Sequence, residues 1–230
     1  MMKRRGDISD VMEKLGGSEV PSAAVNACLM PRAVDAIPAL FSLVQADANF
    51  ETFCRFVLVP AARQLGDAWV RDRLSFADVT VGMARLEMAV EQFGGAWRSA
   101  LPADDGAPTV FFAALANTQH TFGSVVATRA LIEAGWQVRS LDQLDLTDAS
   151  VSYVRNRPID MIALAVGTTD RATEAGTAIA RLRKAAPKAC IYLTGPAATA
   201  SPELFANLGA DVVGADVFDV ARSFRNEMVA

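Results

Sequence analysis

The sequence predicts an α/β fold: a five-stranded parallel sheet of flavodoxin-like (Rossmann-like) winding, preceded by a small helical bundle. Three observations predict it. Beyond residue 108, strand-sized apolar runs alternate with helical stretches. Before residue 101, apolar positions recur only at helical spacing. Between the two, "LPADDGAP" (101–108) has the proline, glycine and acid content of a linker. The expected organisation is an N-terminal tail (1–30, expected to be flexible), a helical cap domain (31–101), a linker (102–108) and an α/β domain (109–230).

Within the cap, "PRAVDAIPALFSLVQAD" (31–47) supplies one helix, and "FETFCRFVLVPAARQLGDAWV" (50–70) a second, with Pro60 expected to kink or break it. A third starts at Ser75. Phe76, Val79, Met83, Leu86, Val90 and Phe93 recur at helical spacing, and Ser75 with Asp78 makes a capping box. Met83 and Met88 at this spacing read as packing. In the second domain the strands are 109–116, 137–142, 160–166, 190–195 and 211–215. The helices between and after them are 122–134, 148–156, 172–186, 202–208 and 217–228. Strands joined through helices form a parallel sheet covered on both faces.

Composition narrows the function classes. At 230 residues and 52% hydrophobic content the chain can bury a core, and no apolar run approaches the roughly 18 to 20 residues that span a bilayer. No membrane association is expected. The basic start "MMKRRGDISD" turns polar where an export signal needs an apolar stretch. Cys28, Cys54 and Cys190 are odd in number and far apart, so they read as reduced thiols of a cytoplasmic protein. A net charge of −4, with "KRR" (3–5) the one dense basic cluster, argues against direct DNA binding, which rests on neutralising phosphates.

The one histidine, His120, lies in "NTQHTFG" after the first strand. For a flavodoxin-like strand order, that loop is the switch point where ligands bind. Gly123 follows where the chain enters the helix and lets backbone approach a ligand. Three chemistries could use the loop. A phosphate-accepting receiver needs carboxylates at the ends of the first and third strands, where this chain has Asn117, Thr118 and Gly167, so that reading fails. A flavin-phosphate site could use the hydroxyls of Thr118, Thr121 and Ser124 but gives the histidine no task. A metallotetrapyrrole takes the imidazole as an axial ligand.

The last chemistry has a pattern. Thr118-Gln-His120-Thr-Phe-Gly123, then Ala165-Val-Gly167-Thr-Thr169, then Thr194-Gly195, followed by "PELFANLGADVVGADVFDVARSF", resembles the cobalamin-binding domain of methionine synthase and its relatives. Their motif is Asp-x-His-x-x-Gly, then Ser-x-Leu, then Gly-Gly. Upstream, "LGDAWVRDRLSFADVTVGMARLEMAV" (65–90) is similar to the helical cap that lies over the corrin in such proteins, with Trp69 at the tryptophan position. On its own, a tryptophan on an apolar helix face reads as core.

The departures narrow the resemblance. The aspartate that orients the ligating histidine is Thr118, which supplies a hydroxyl without charge. The serine that bonds the nucleotide-tail base is Ala165, and the first glycine of the tail channel is Thr194, although Thr169 could compensate. The Glu-His pair of light-sensing caps is Val79-Thr80. This eroded pattern resembles the photosynthesis-gene antirepressors of purple bacteria (the PpaA/AerR type) and the related sensor module that holds heme instead. The resemblance implies a regulatory sensor with no enzyme activity and no catalytic residues. It implies cobalamin as cofactor, with heme as the alternative because heme has no tail, and His120 as the metal ligand. Gly123, Thr118, Thr169, Thr194, Gly195 and Trp69 are the implied cofactor contacts, and a transcriptional repressor is the implied partner. A corrinoid methyl carrier of a methyltransferase system is the other reading, weakened by loss of the aspartate.

Overall fold

The computed structural model describes residues 19–45, 47–93, 106–115, 121–144 and 148–229. The chain divides into two compact units, Met1–Ala100 and Leu101–Ala230.

In the first unit, α1 (Glu19–Cys28) is followed by α2 (Ala33–Phe41), by α3 and by α4 (Phe76–Gln92). α1 corrects the expectation of a tail reaching to residue 30. It buries Val20, Ala24, Ala27 and Cys28, a stripe at helical spacing built mostly of small residues. Residues 1–18 lie outside the described residues. α3 is one continuous helix composed of Phe50–Phe53, a π-turn at Cys54–Leu58 and Val59–Val70. Pro60 therefore neither breaks nor ends it. Proline lacks an N–H and its ring crowds the preceding turn, and the widened turn ahead of it absorbs both demands, with Val59 N–H donating to Cys54 O. α3 ends with Asp72 in the left-handed region (φ 53) and Arg73 N–H donating to Ala68 O at 2.8 Å.

The expected capping box opens α4. Asp78 N–H donates to Ser75 Oγ at 3.1 Å and Ser75 N–H to Asp78 Oδ2 at 3.0 Å. The Ser75 hydroxyl, donating to Asp78 Oδ2 at 2.6 Å, and then the Ser75 N–H hold the Asp78 carboxyl below its ordinary pKa. α3 and α4 pack closely at Gly82, where a Cβ would come 2.9 Å from Leu65 Cδ1. Phe41, Phe50, Phe53 and Phe93 cluster where α3 begins and α4 ends, with the Phe53 and Phe93 rings stacked at 5.2 Å. Arg85 is 8% exposed and donates to the carbonyls of Cys28, at 2.6 Å, and Met30. A guanidinium thus satisfies the carbonyls orphaned at the end of α1. Burial beside it pushes the Cys28 thiol up to about 12, against a smaller lowering by Arg85, so this cysteine is neutral and unreactive.

The second unit alternates as expected: β1 (Thr109–Leu115), α5 (Thr121–Glu133), β2 (Gln137–Leu144), α6 (Asp148–Arg155), β3 (Met161–Ala165), α7 (Ala172–Ala185), β4 (Cys190–Thr194), α8 (Pro196–Ala200), β5 (Val212–Val213) and α9 (Val217–Val229). The strands form one parallel sheet in the order β2-β1-β3-β4-β5. The fold is a five-stranded Rossmann-like α/β unit preceded by a helical unit. The expected helix 202–208 is a single 3-10 turn, Pro202–Leu204, that seats the fully buried Phe205, while α8 just before it was not anticipated. Two prolines six positions apart, each opening a turn, divide what would be one helix. Among the described residues no helix is long and apolar enough to cross a membrane.

Period-two alternation sends Phe111, Ala113, Leu115, Ile162, Leu164, Ile191 and Leu193 to one face, packed with residues of α6 and α7. Val110, Phe112, Ala114, Met161, Ala163, Ala165 and Tyr192 line the other with residues of α5 and α9. Trp136 Nε1 donates to Ala221 O at 2.8 Å, fastening α9 to the start of β2.

Replacing Arg85 by alanine should destabilise the helical unit by about 1 to 3 kcal/mol, because a buried carbonyl, that of Cys28, and a part-buried one, that of Met30, lose their donor. Urea unfolding followed by circular dichroism reads this. An unchanged midpoint would show that water replaces the guanidinium there.

Candidate functional site

In a sheet of this order, β1 lies between β2 and β3, and the chain leaves β1 toward one side and returns on the other. Ligands of such sheets bind at the carboxyl ends of the strands where the order reverses. Here that place is bounded by the end of β1, the start of α5, the loop after β3 and the end of β4. Residues 116–120, the connection from β1 to α5, lie outside the described residues, and with them Thr118 and His120.

Gly123 stands in the first turn of α5, exposed, and a Cβ built there would meet nothing within 4 Å. The approach to the start of α5 is open on that side. Thr169 is exposed at the first position of a 3-10 turn, Thr169–Arg171, that follows β3, and Thr168 beside it is exposed as well. Thr194 ends β4 opposite Ala165, which pairs in turn with Ala114 of β1. Gly123, Thr169, Thr194 and Gly195 are thus all on the carboxyl edge of the sheet. Trp69 belongs to the helical unit, where it is 49% exposed at the end of α3, with its ring 6.4 Å from that of Phe76. Of the pair at the light-sensor position, Val79 is partly buried and Thr80 donates to Phe76 O at 2.8 Å within its own helix.

Three features of this edge escaped the sequence reading. The first is Val166, whose N–H donates to Thr194 O at 2.9 Å and whose carbonyl accepts from Ala197 N–H at 3.2 Å, clamping the loop after β3 onto the end of β4 and the start of α8. The second is the reason for Gly195. Its φ is +96, and a Cβ would come 2.6 Å from Val166 O and 2.8 Å from Val166 N. Backbone packs on backbone at this point, so the internal structure alone requires glycine. Gly214 (φ +66) repeats the device after β5, against Ala198 O. The third is Tyr192, 1% exposed, whose hydroxyl donates to Ala215 O at 2.6 Å and hydrogen-bonds the Thr194 side chain. Burial pushes the Tyr192 phenol up to about 12, against a lowering by the Thr194 bond and with a smaller rise from Asp216.

Among the described residues no group of three or more His, Cys, Asp or Glu side chains could hold a metal ion. Any imidazole ligand must come from His120, the chain's single histidine.

Comparison with known proteins bears on this edge. Residues 108–221 match the family described as "B12 binding domain". The α/β unit is thus similar to that family over nearly all of its strands and helices. A Rhodobacter capsulatus protein described as an uncharacterized 20.5 kDa protein in the bchF-crtJ intergenic region is 28% identical over 184 residues, covering 78% of this chain and 93% of its own length. Among solved structures, the monomethylamine corrinoid protein of Methanosarcina barkeri aligns with a TM-score of 0.64 over 92% of this chain and 98% of its own, at 14% identity, which speaks to the fold. The matched B12-binding region contains every proposed contact of the α/β unit, including the loop that carries His120.

Tyr192 generates a pH prediction. An unfolded tyrosine ionises near ~10. The folded group does so at about 12. The unfolded chain therefore loses this proton first, and the stabilisation from the neutral phenol is fully present below pH ~10 and lost as pH rises through the folded value. Urea midpoints at pH 9 and 11 should fall steeply for the wild type and less for Tyr192→Phe. Equal slopes would show that other groups govern the alkaline loss.

Proposed function

We propose that this chain binds a corrinoid at the carboxyl edge of its B12-binding domain and controls transcription indirectly, by binding a repressor of photosynthesis genes. The observation that carries the reading is the match of residues 108–221 to the B12-binding family together with a strand order that puts the His120 loop at the switch point.

The residues at that edge fit such a group. The approach beside Gly123 is open, and the exposed hydroxyls of Thr168 and Thr169 border the same edge. His120 would hold the cobalt, with Thr118 orienting its ring, and the bound corrinoid would supply a metal centre that can exchange ligands. Trp69, exposed on the helical unit, would offer the cofactor an apolar surface. A nucleotide tail finds less, since Ala165 offers no side-chain donor. Recognition would therefore rest on the ring and the axial ligand.

Regulation is favoured over methyl transfer by the lost aspartate at Thr118 and by the location named for the R. capsulatus relative, between bchF and crtJ. The heme alternative has no support among the comparisons, which name B12 and corrinoids. A net charge of −4 favours a protein partner over DNA. A cofactor can regulate that partner only through a difference in affinity between the loaded and empty protein.

A gel-shift series with operator DNA at moderate salt tests the regulatory part. This protein alone should not retard the DNA, and with the repressor present the loaded protein should change repressor–DNA affinity at least fivefold relative to the cofactor-free protein. Sequence-specific retardation by this protein alone, or equal effects of the loaded and empty forms, would contradict the proposal.

A further inference from the structure

The two ends of the helical unit differ. Where α3 begins, aromatic rings are packed together, with Phe50 and Phe53 buried. Where α3 turns into α4, Trp69, Val70 and Phe76 are 49%, 78% and 72% exposed. Large apolar side chains grouped on one surface mark a place that something covers.

The direction of α1 names a candidate. Ser22 Oγ donates to Gln64 Oε1 at 3.5 Å, and Arg85 holds the other end of α1 further along α4 from Phe76. α1 therefore runs antiparallel to the second half of α3, and its first residue, Glu19, points toward the turn that carries Trp69, Val70 and Phe76. The chain ahead of it reads "DISDVMEKLGGS" (7–18). Ile8, Val11, Met12 and Leu15 recur at i, i+3, i+4 and i+7. Asp7 stands where helices are capped, and Gly16 where they end. A segment this short gains little stability as a lone helix and needs a surface for its apolar stripe. Gly16 to Ser18 span up to about 10 Å when extended, enough to lay the stripe beside the start of α1. Tethering places the segment at a high effective concentration that an untethered partner lacks.

We propose that Ile8, Val11, Met12 and Leu15 dock on the end of the helical unit formed by Trp69, Val70 and Phe76, so that this chain's own N-terminal segment covers it. The docking stands independently of the cofactor.

The test is 19F NMR of the cofactor-free full chain labelled with 5-fluorotryptophan, with the Trp69 signal identified by Trp69→Phe and the buried Trp136 reporting on the fold of the α/β unit. The double variant Val11→Asp, Leu15→Asp should shift the Trp69 signal and raise its broadening by a soluble paramagnetic agent at least twofold, leaving Trp136 unchanged. The polar-face variant Glu13→Ala, Lys14→Ala should leave Trp69 as in the wild type. A Trp69 signal insensitive to the apolar-face change, or moved equally by both variants, would overturn the proposal. A signal that depends on protein concentration would overturn it in favour of a second copy on that surface. No corrinoid is present, so failure here is distinct from failure of the cofactor reading.

Discussion

The parallel pairing of β1 with β2 on one side and β3 on the other fixes where this chain can hold a ligand. A parallel strand must be reached by a crossover, so every connection that leaves a carboxyl end does so on the same edge of the sheet. At one place on that edge, two consecutive crossovers diverge to opposite sides and leave room between them. The end of β1 and the start of α5 both border this place, and the sequence that joins them contains the chain's one imidazole.

The edge is rigid where its backbone is closed. Val166 is bonded on both sides, Gly195 lies against it with no space for a side chain, and Gly214 packs against α8 in the same way. The β3, β4 and β5 ends thus form one hydrogen-bonded wall, which Tyr192 ties to Ala215 from beneath. Gly123 and Thr169 stand on the open part of the same edge. A ligand at this site would meet a pre-formed wall on one side and the exposed first turn of α5 on the other, an arrangement that lowers the ordering cost of binding.

Much of this was legible in the residues because each signal was local. The runs around Val110–Leu115 and Met161–Ala165 are buried on both faces, so an unbroken apolar stretch marked each strand. Ser75 and Asp78 cap α4 through contacts three residues apart. The misses share the opposite cause. α1 buries mainly alanines and a cysteine, which make a weak stripe, and Pro60 was read without the widened turn that relieves it. The packing demand that Val166 makes on Gly195 is also not local, since the two meet only through the β3–β4 pairing. The Tyr192–Ala215 bond likewise spans two elements and leaves no mark in a local pattern.

The proposal on which the rest depends is that the α/β unit holds a corrinoid through His120. The most direct measurement is the absorption spectrum of the full-length protein after incubation with cobalamin and gel filtration, beside the same experiment on His120→Ala. The account predicts corrinoid absorbance that travels with the wild-type protein at about one per chain and carries the signature of imidazole ligation, a signature that the variant loses. Wild-type protein that emerges colourless, or a variant whose spectrum matches the wild type, would contradict it.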